Sequence, residues 1–292
     1  NVTPDASATG LAGYSADAVF PAGIRLLTVN YYDNYDFIGM MPGGTRDAFR
    51  WHPGDGYDRP GVSACGLLTR VYALGDTAST LEVMYYDSKG RAIQTVASNH
   101  RGGIERQSLH LSFTGKTLLS KTEHSAGAYS DVTYKRYVYD SRDRLVSSYV
   151  GNDGISYSSL SKTEYDGAGR VARIITGPNV ATAVLEYNAR GWTTGVSCAP
   201  LFSQRLFYED PQDNASPRYG GDVSQMTWTQ KEHPDSLAAI TQHYSYTYDG
   251  LGRLGAAVYT GPGERDYSAS YSYDLNGNVT SISRQRPAEW WA

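Results

Sequence analysis

Cysteine is scarce: the 292 residues hold 2, Cys65 and Cys198, far apart and in no metal-binding spacing. Two isolated thiols are the simpler reading, and the spacing supports no argument for a disulfide. Phenylalanine (6) and methionine (4) are also few. No apolar stretch approaches the ~18 residues that would cross a bilayer. No basic run occurs and the formal net charge is −4, so electrostatics give no basis for nucleic-acid binding. The opening NVTPDASATG carries no charged-then-apolar signal pattern and reads as the start of a fragment or processed product.

What is abundant is tyrosine (25) and glycine (31). Tyrosine, valine and threonine suit half-buried strands, and glycine suits tight turns. With 40% apolar and 19% charged residues the chain can fold. The balance predicts an all-β protein of many short hairpins.

Tyr-Asp dipeptides begin at Tyr32, Tyr35, Tyr57, Tyr86, Tyr139, Tyr165, Tyr248 and Tyr273, and around five of them a longer phrase recurs. It reads MYYDSKGRAIQTV from Met84, YVYDSRDRLVSSY from Tyr137, TEYDGAGRVARII from Thr163, YTYDGLGRL from Tyr246 and SYSYDLNGNVTSI from Ser270. A weaker copy, LEYNARGWTTGV, starts at Leu185. Self-similarity at a near-fixed period marks a repeat architecture.

The first turn position holds Asp87, Asp140, Asp166, Asn188, Asp249 and Asp274. Three residues on stand Gly90, Asp143, Gly169, Gly191, Gly252 and Gly277, residues that tolerate a left-handed backbone. This predicts a type I turn with a bulge at the glycine, the Asp side chain accepting from turn amides. Arg91, Arg144, Arg170 and Arg253 follow, replaced by Trp192 and Asn278 in the divergent copies. Each arginine opens the return strand and can reach the turn aspartate, an exposed pair worth at most about 1 kcal/mol that fixes geometry more than it stabilises. Tyr86, Tyr139, Tyr165, Tyr187, Tyr248 and Tyr273 close the strand before each turn. In each strand, alternate residues such as Tyr244, Tyr246 and Tyr248 share a face. One hairpin cannot bury that face alone, so the units must pair edge to edge. The spacing places a worn copy around Leu109–His124, and two more near Phe207-Tyr208 and Asp222–Trp228.

Four regions follow: an irregular N-terminal arm (1–23), a divergent β segment with a long Gly/Pro-rich loop at 39–66 (24–80), the repeat sheet (81–283) and a C-terminal tail (284–292). The insertion Glu209–Gly221 interrupts the repeats, and no long helical pattern appears. The expected architecture is a continuous curved or spiralling antiparallel sheet, with a β-propeller as the alternative.

Motifs for catalysis or cofactors are weak. The Gly-x-Gly-x-x-Ala string in Asp166–Ala172 lies in a hairpin turn, not between strand and helix. DLNGN (Asp274–Asn278) spaces oxygen ligands like a calcium loop but lacks its sixth-position glycine and distal glutamate. His52, His100, His110, His124, His233 and His243 form no metal-ligand set, and no Gly-x-Ser-x-Gly elbow is present. No cofactor, metal or catalytic residue is expected, and a two-carboxylate glycosidase site has nothing pointing to it. Asn-x-Ser/Thr strings at Asn1, Asn214 and Asn278 are as frequent as chance allows. Among the aromatics, Trp51, Trp192 and Trp228 are the candidates for stacking on a sugar ring, with Trp290 and Trp291 behind them; packing along the sheet is the competing role.

The segments YTYDGLGRL, YYDSKGRAIQTVASNHRGG (Tyr85–Gly103), EYNARGWTTGVS (Glu186–Ser197) and YSYDLNGNVTSI (Tyr271–Ile282) resemble the Rhs/YD-repeat family, in the style of Rhs-like surface proteins of the Bacteroides group. The resemblance spans roughly residues 24–283. It implies a long β-sheet spiralling into a hollow shell, and a non-enzymatic segment that encloses or presents a toxin or effector cargo. The implied partners are the remaining repeats or the cargo of a longer polypeptide, and the implied location is extracellular or on a bacterial surface. Related repeats act in adhesion, so a surface module binding a glycan or a protein through its aromatic faces is the alternative function.

Overall fold

The computed structural model describes residues 2–4, 14–16, 27–52, 54, 56–74, 79–178, 180–212, 215–231, 238–263 and 266–285. Most of the expected N-terminal arm, nearly all of the tail with Trp290 and Trp291, and Asn1, Asn214 and His233 lie outside them. The protein is all-β, and the chain forms two compact units, residues 1–160 and 161–292.

In the first unit a small ladder joins β1 (Val2–Pro4) to β2 (Tyr14–Ala16). The main sheet runs through β3 (Thr28–Asp33), β4 (Ala64–Leu74), β5 (Ser79–Tyr86), β6 (Ala92–Ser98), β7 (Ile104–Leu111), β8 (Thr117–Ala126), β9 (Tyr129–Tyr139) and β10 (Leu145–Gly151). Each strand pairs antiparallel with the next in sequence. The second unit repeats this plan. β11 (Ser158–Tyr165), most of which lies past the division, leads into β12 (Val171–Thr176), β13 (Ala181–Tyr187), β14 (Thr193–Cys198) and β15 (Phe202–Phe207). The sheet continues through β16 (Gln225–Lys231), β17 (Ala239–Tyr248), β18 (Leu254–Thr260), β19 (Ala269–Tyr273) and β20 (Val279–Arg284). Again every strand pairs with its sequence neighbour. A propeller would break these ladders into separate four-stranded blades, so the propeller alternative does not hold.

The worn copy expected at Leu109–His124 is a true hairpin: Ser112 stands in the Asp place, Gly115 has φ 90°, and Lys116 stands in the Arg place. The two copies expected near Phe207 and Asp222 are a correction. Phe207 pairs with Gln225, so these segments are the two strands of one hairpin, and Glu209–Gly221 is its enlarged turn. Spacing alone counted the insertion as a second unit.

The Gly/Pro-rich segment between β3 and β4 is more ordered than its composition implies. Asp36–Ile38 forms a 3-10 turn and Gly43–Phe49 the helix α1. Together they cover one face of the first sheet. Phe37, Ile38, Met41 and Phe49 pack with Tyr31, Leu81, Val83, Tyr85 and Val96. On β5 the buried residues alternate, Leu81, Val83 and Tyr85, as one covered face requires. The Tyr85 hydroxyl donates to the Phe49 carbonyl (2.8 Å), and the Gln94 amide exchanges hydrogen bonds with the His52 backbone (3.1 and 3.2 Å). Further along, both Asp58 carboxylate oxygens are held by β7, one by the Leu111 amide (2.9 Å) and one by His110 Nδ1 (2.7 Å). Gly61 then lies so close to the next turn that a Cβ would meet the Ser88 backbone at 2.9 Å.

Candidate functional site

The turns share one construction. In the turn at Asp87, Oδ1 accepts from the Lys89 and Arg91 amides (2.8 and 2.9 Å), and Oδ2 takes the Arg91 guanidinium (Nε 2.7 Å, Nη2 2.6 Å). The same bonds recur at Asp140 with Arg144 (3.0 Å to its amide, 2.8 Å to Nε) and at Asp249 with Arg253 (2.9 and 2.6 Å). Asp166 and Arg170 repeat them at 2.8 and 2.7 Å. In the divergent copies Asn188 keeps the amide contacts, to Arg190 and Trp192, and Asn278 Nδ2 replaces the guanidinium on Asp274. The fourth turn position is left-handed each time, including Asp143 at φ 59°. Both oxygens of Asp274 are thus engaged inside DLNGN, by Asn276, Asn278 and the latter's side chain. A further turn, Asn99 to Gly103, uses the same side-chain-to-amide bonds at the other end of its hairpin.

These bonds lower the turn carboxyls. The Arg144 side chain, with its amide, holds Asp140 down to about 2. The amide and side chain of the following arginine lower Asp166 and Asp249, and the Asn278 side chain lowers Asp274. Burial pushes Asp87 up, but the Arg91 and Lys89 bonds outweigh it.

Beyond the turn, tyrosine and arginine link one hairpin to the next. The Tyr187 hydroxyl donates to the Val171 carbonyl (2.9 Å), the residue just after Arg170 in the preceding hairpin, and the Arg170 guanidinium lies 4.5 Å from the Tyr187 ring centre. Tyr273 donates to Leu254 O (2.9 Å), just after Arg253, whose guanidinium lies 4.7 Å from the Tyr273 ring. Tyr139 reaches Thr117 O (3.0 Å), just after Lys116. Arginine reaches forward: Arg91, Arg170 and Arg253 donate to the carbonyls of Ser112, Asn188 and Asp274, each the first residue of the following turn (2.9, 3.3 and 3.0 Å). Tyrosine therefore clasps the hairpin behind and arginine the hairpin ahead. Burial raises the Tyr86, Tyr139, Tyr208 and Tyr248 phenols, which keeps them protonated as donors.

The degenerate copies keep this relay with other residues. Trp192 stands where arginine would and packs its ring on Tyr208 (5.0 Å between centres), while Tyr208 donates to Thr193 O (2.8 Å). Within the insertion, Arg218 sits 4.7 Å from the Tyr248 ring, and Tyr248 donates to Val223 O (2.8 Å). Sequence reading marked Phe207-Tyr208 as a worn copy but missed Arg218, because the arginine is displaced into the insertion.

A second regularity was also missed. The pairing register slips next to each turn tyrosine, leaving Ile93, Val146, Ala172, Thr194, Gly255 and Thr280 as extra residues on the return strand. This bulge explains why Ile93 and Gln94 are buried in succession, against the alternation of a regular strand.

The three candidate tryptophans are all half-buried, in separate settings. Trp51 packs against the covered core of the first unit. Trp192 lies between Tyr208 and the Arg190 guanidinium, 5.0 Å from its ring. Trp228 stacks on Tyr244 (5.6 Å, 18° between planes), with Tyr259 at 6.3 Å. Cys65 and Cys198 are free thiols. Among the described residues no group of three or more His, Cys, Asp or Glu converges as a metal site, and no helix is long and apolar enough to cross a membrane.

No protein-family model matches the sequence, and no curated protein matches it. Solved structures do. The crystal structure of TcdB2-TccC3-TEV aligns at 16% identity and a TM-score of 0.42, covering 76% of this chain and 15% of that one. The Photorhabdus luminescens Tc holotoxin pore aligns at 16% identity and TM-score 0.42, covering 76% and 14%. TcdB2-TccC3 without its hypervariable C-terminal region aligns at 14% identity and TM-score 0.33, covering 75% and 16%. The chain thus spans about a seventh of the length of these chains.

Proposed function

We propose that this chain is a non-enzymatic wall segment of the Rhs/YD-repeat kind, whose hairpins join further repeats of a longer polypeptide to enclose or present a toxin or effector cargo outside the cell. The observation that supports this reading is the relay. Tyr139, Tyr187, Tyr208, Tyr248 and Tyr273 each bind the hairpin behind, and Arg91, Arg170 and Arg253 the hairpin ahead, so much of the recurring chemistry of the repeat is spent on joining units. The Asp87, Asp140, Asp166 and Asp249 carboxylates are occupied by the following arginine and by turn amides, which suits a building element.

The test is protease protection. The polypeptide encoded after this chain is expressed with it as one protein and digested under native conditions. Slow digestion, restored to the rate of the isolated downstream polypeptide by mild denaturant, is the expected result. Digestion at the isolated rate without denaturant would remove the enclosing role.

A further inference from the structure

One seam of the second unit is short. β18 and β19 share two paired positions, Ala256 with Ser270 and Ala257 with Ala269, whereas every other ladder described in that unit has four or more. Beyond Ala257 side chains take over. The Tyr259 amide donates to the Ser268 hydroxyl (3.0 Å) in place of a ladder carbonyl. The Tyr259 and Tyr267 rings meet across the seam, their centres 5.0 Å apart and their planes at 86°.

Both rings are held. The Tyr259 hydroxyl donates to Gln242 Oε1 (2.7 Å), and the ring end lies where a glycine leaves room: a Cβ on Gly261 would collide with it. Tyr244 donates to the Tyr267 carbonyl (3.1 Å), which fixes the backbone that carries the second ring. Tyr259 is buried and Tyr267 half-buried, so solvent reaches the pair through Tyr267.

A one-electron oxidant turns a phenol into a phenoxyl radical, whose spin is shared with the ring carbons ortho to the oxygen. Two phenoxyls couple through those carbons, which requires the edge of one ring to lie against the other. The near-perpendicular contact of Tyr259 with Tyr267 meets that requirement. The stacked pairs present faces: Tyr35 with Tyr85 at 18°, and Tyr244 with Tyr246 at 20°. Tyr244 and Tyr259 are farther apart, at 5.4 Å and 61°.

We propose that Tyr259 and Tyr267 are a site of oxidative modification, at which a one-electron oxidant of the peroxide class joins the two rings as dityrosine. Each phenol gives up one electron and its hydroxyl proton, and a C–C bond forms between ortho carbons. The hydrogens on those two carbons then move to the oxygens and restore both phenols. The two electrons cleave the oxidant's O–O bond. Hydrogen peroxide takes up the two protons and leaves as two waters; persulfate leaves as two sulfates, and the protons pass to solvent. The product is a covalent bridge across the shortest described seam of the unit, holding β19 to β18. The inference is independent of the wall reading, and its failure would leave that reading intact.

The experiment oxidises the whole chain in dilute solution with persulfate and a ruthenium photosensitiser, followed by trypsin. Cleavage after Arg253, Arg265 and Arg284 puts Tyr259 in residues 254–265, and Tyr267 with Tyr271 and Tyr273 in residues 266–284. The expected product is these two peptides joined, two hydrogens lighter than their sum, with dityrosine fluorescence. Tyr267→Phe keeps the ring and should cut the yield of the joined peptide about tenfold or more, while Tyr271→Phe leaves it unchanged. The same oxidation of the wild-type chain in denaturant should also lower the yield, because Tyr259 then meets the other tyrosines as readily; this comparison needs no variant to fold. No joined peptide, equal yield from folded and unfolded chain, a joined peptide that survives Tyr267→Phe, or preferential joining of residues 254–265 to the Tyr244 peptide would overturn the site.

Discussion

The two units build the same hairpins and stabilise them differently. In the first, the 3-10 turn and α1 cover β3–β7, and nine side chains form a buried core. In the second, the buried apolar side chains among the described residues are Tyr208, Ala257 and Tyr259, and every residue of β20 is exposed. Its hairpins depend on half-buried rings, such as Trp228 on Tyr244, and on the links between neighbours. The difference teaches that the repeat supplies register and spacing, while large-scale burial comes from whatever segment is laid on it.

The strongest way to break this comparison is Phe49→Ala. Phe49 is 4% exposed, and its truncation should cost about 3–5 kcal/mol in urea unfolding, with hydrogen exchange rising across β3–β7 and little in the second unit. A loss under ~1 kcal/mol would mean that the covering segment is not core. Next come the turns. Gly191 has φ 84°, so Gly191→Ala should cost about 1–2 kcal/mol, whereas Asp143→Gly, relieving φ 59° at the same turn position, should gain up to ~1 kcal/mol. Equal signs for the two would show that the turns are not equivalent.

Tyr273→Phe removes only the hydroxyl that reaches Leu254 and should cost about 0.5–1.5 kcal/mol. Tyr86→Phe in the first unit, where the hydroxyl reaches Leu68 O at 2.6 Å, should cost the same if the link is independent of the core. The smallest effect at neutral pH is acid sensitivity. Asp140, Asp166 and Asp249 are lowered in the fold, so their stabilisation is complete above the ordinary carboxyl value of 3.8 and is lost as pH falls, for Asp140 through about 2. Melting temperature should drop between pH 4 and 2, and Asp249→Asn should flatten that slope; an unchanged slope would assign the acid loss to other groups.

Much of this was legible in the sequence because it is local. Asp-x-x-Gly-Arg determines its own turn through bonds between residues four apart or fewer, so Asp249, Gly252 and Arg253 could be read in isolation. The partners of Tyr187 and Arg170 could not, since each lies 16 or 18 residues away and the acceptor is a backbone carbonyl that any residue supplies. The bulge at Ile93, Val146, Ala172, Thr194, Gly255 and Thr280 had no residue signature for the same reason. α1 was hidden by Gly43 and Gly44, poor helix formers, and by a length of seven residues; tertiary packing of Phe49 overrides that propensity.

The backward reach of tyrosine and the forward reach of arginine give the chain a grammar of whole words. Each hairpin presents the same clasp to either neighbour, so a gene that duplicates or drops one complete unit restores the seam at once. The one enlarged turn described keeps the seam because a residue resumes the arginine's place. In Glu209–Gly221 that residue is Arg218, which marks enlarged turns as the place where such a chain acquires new surface without losing its frame.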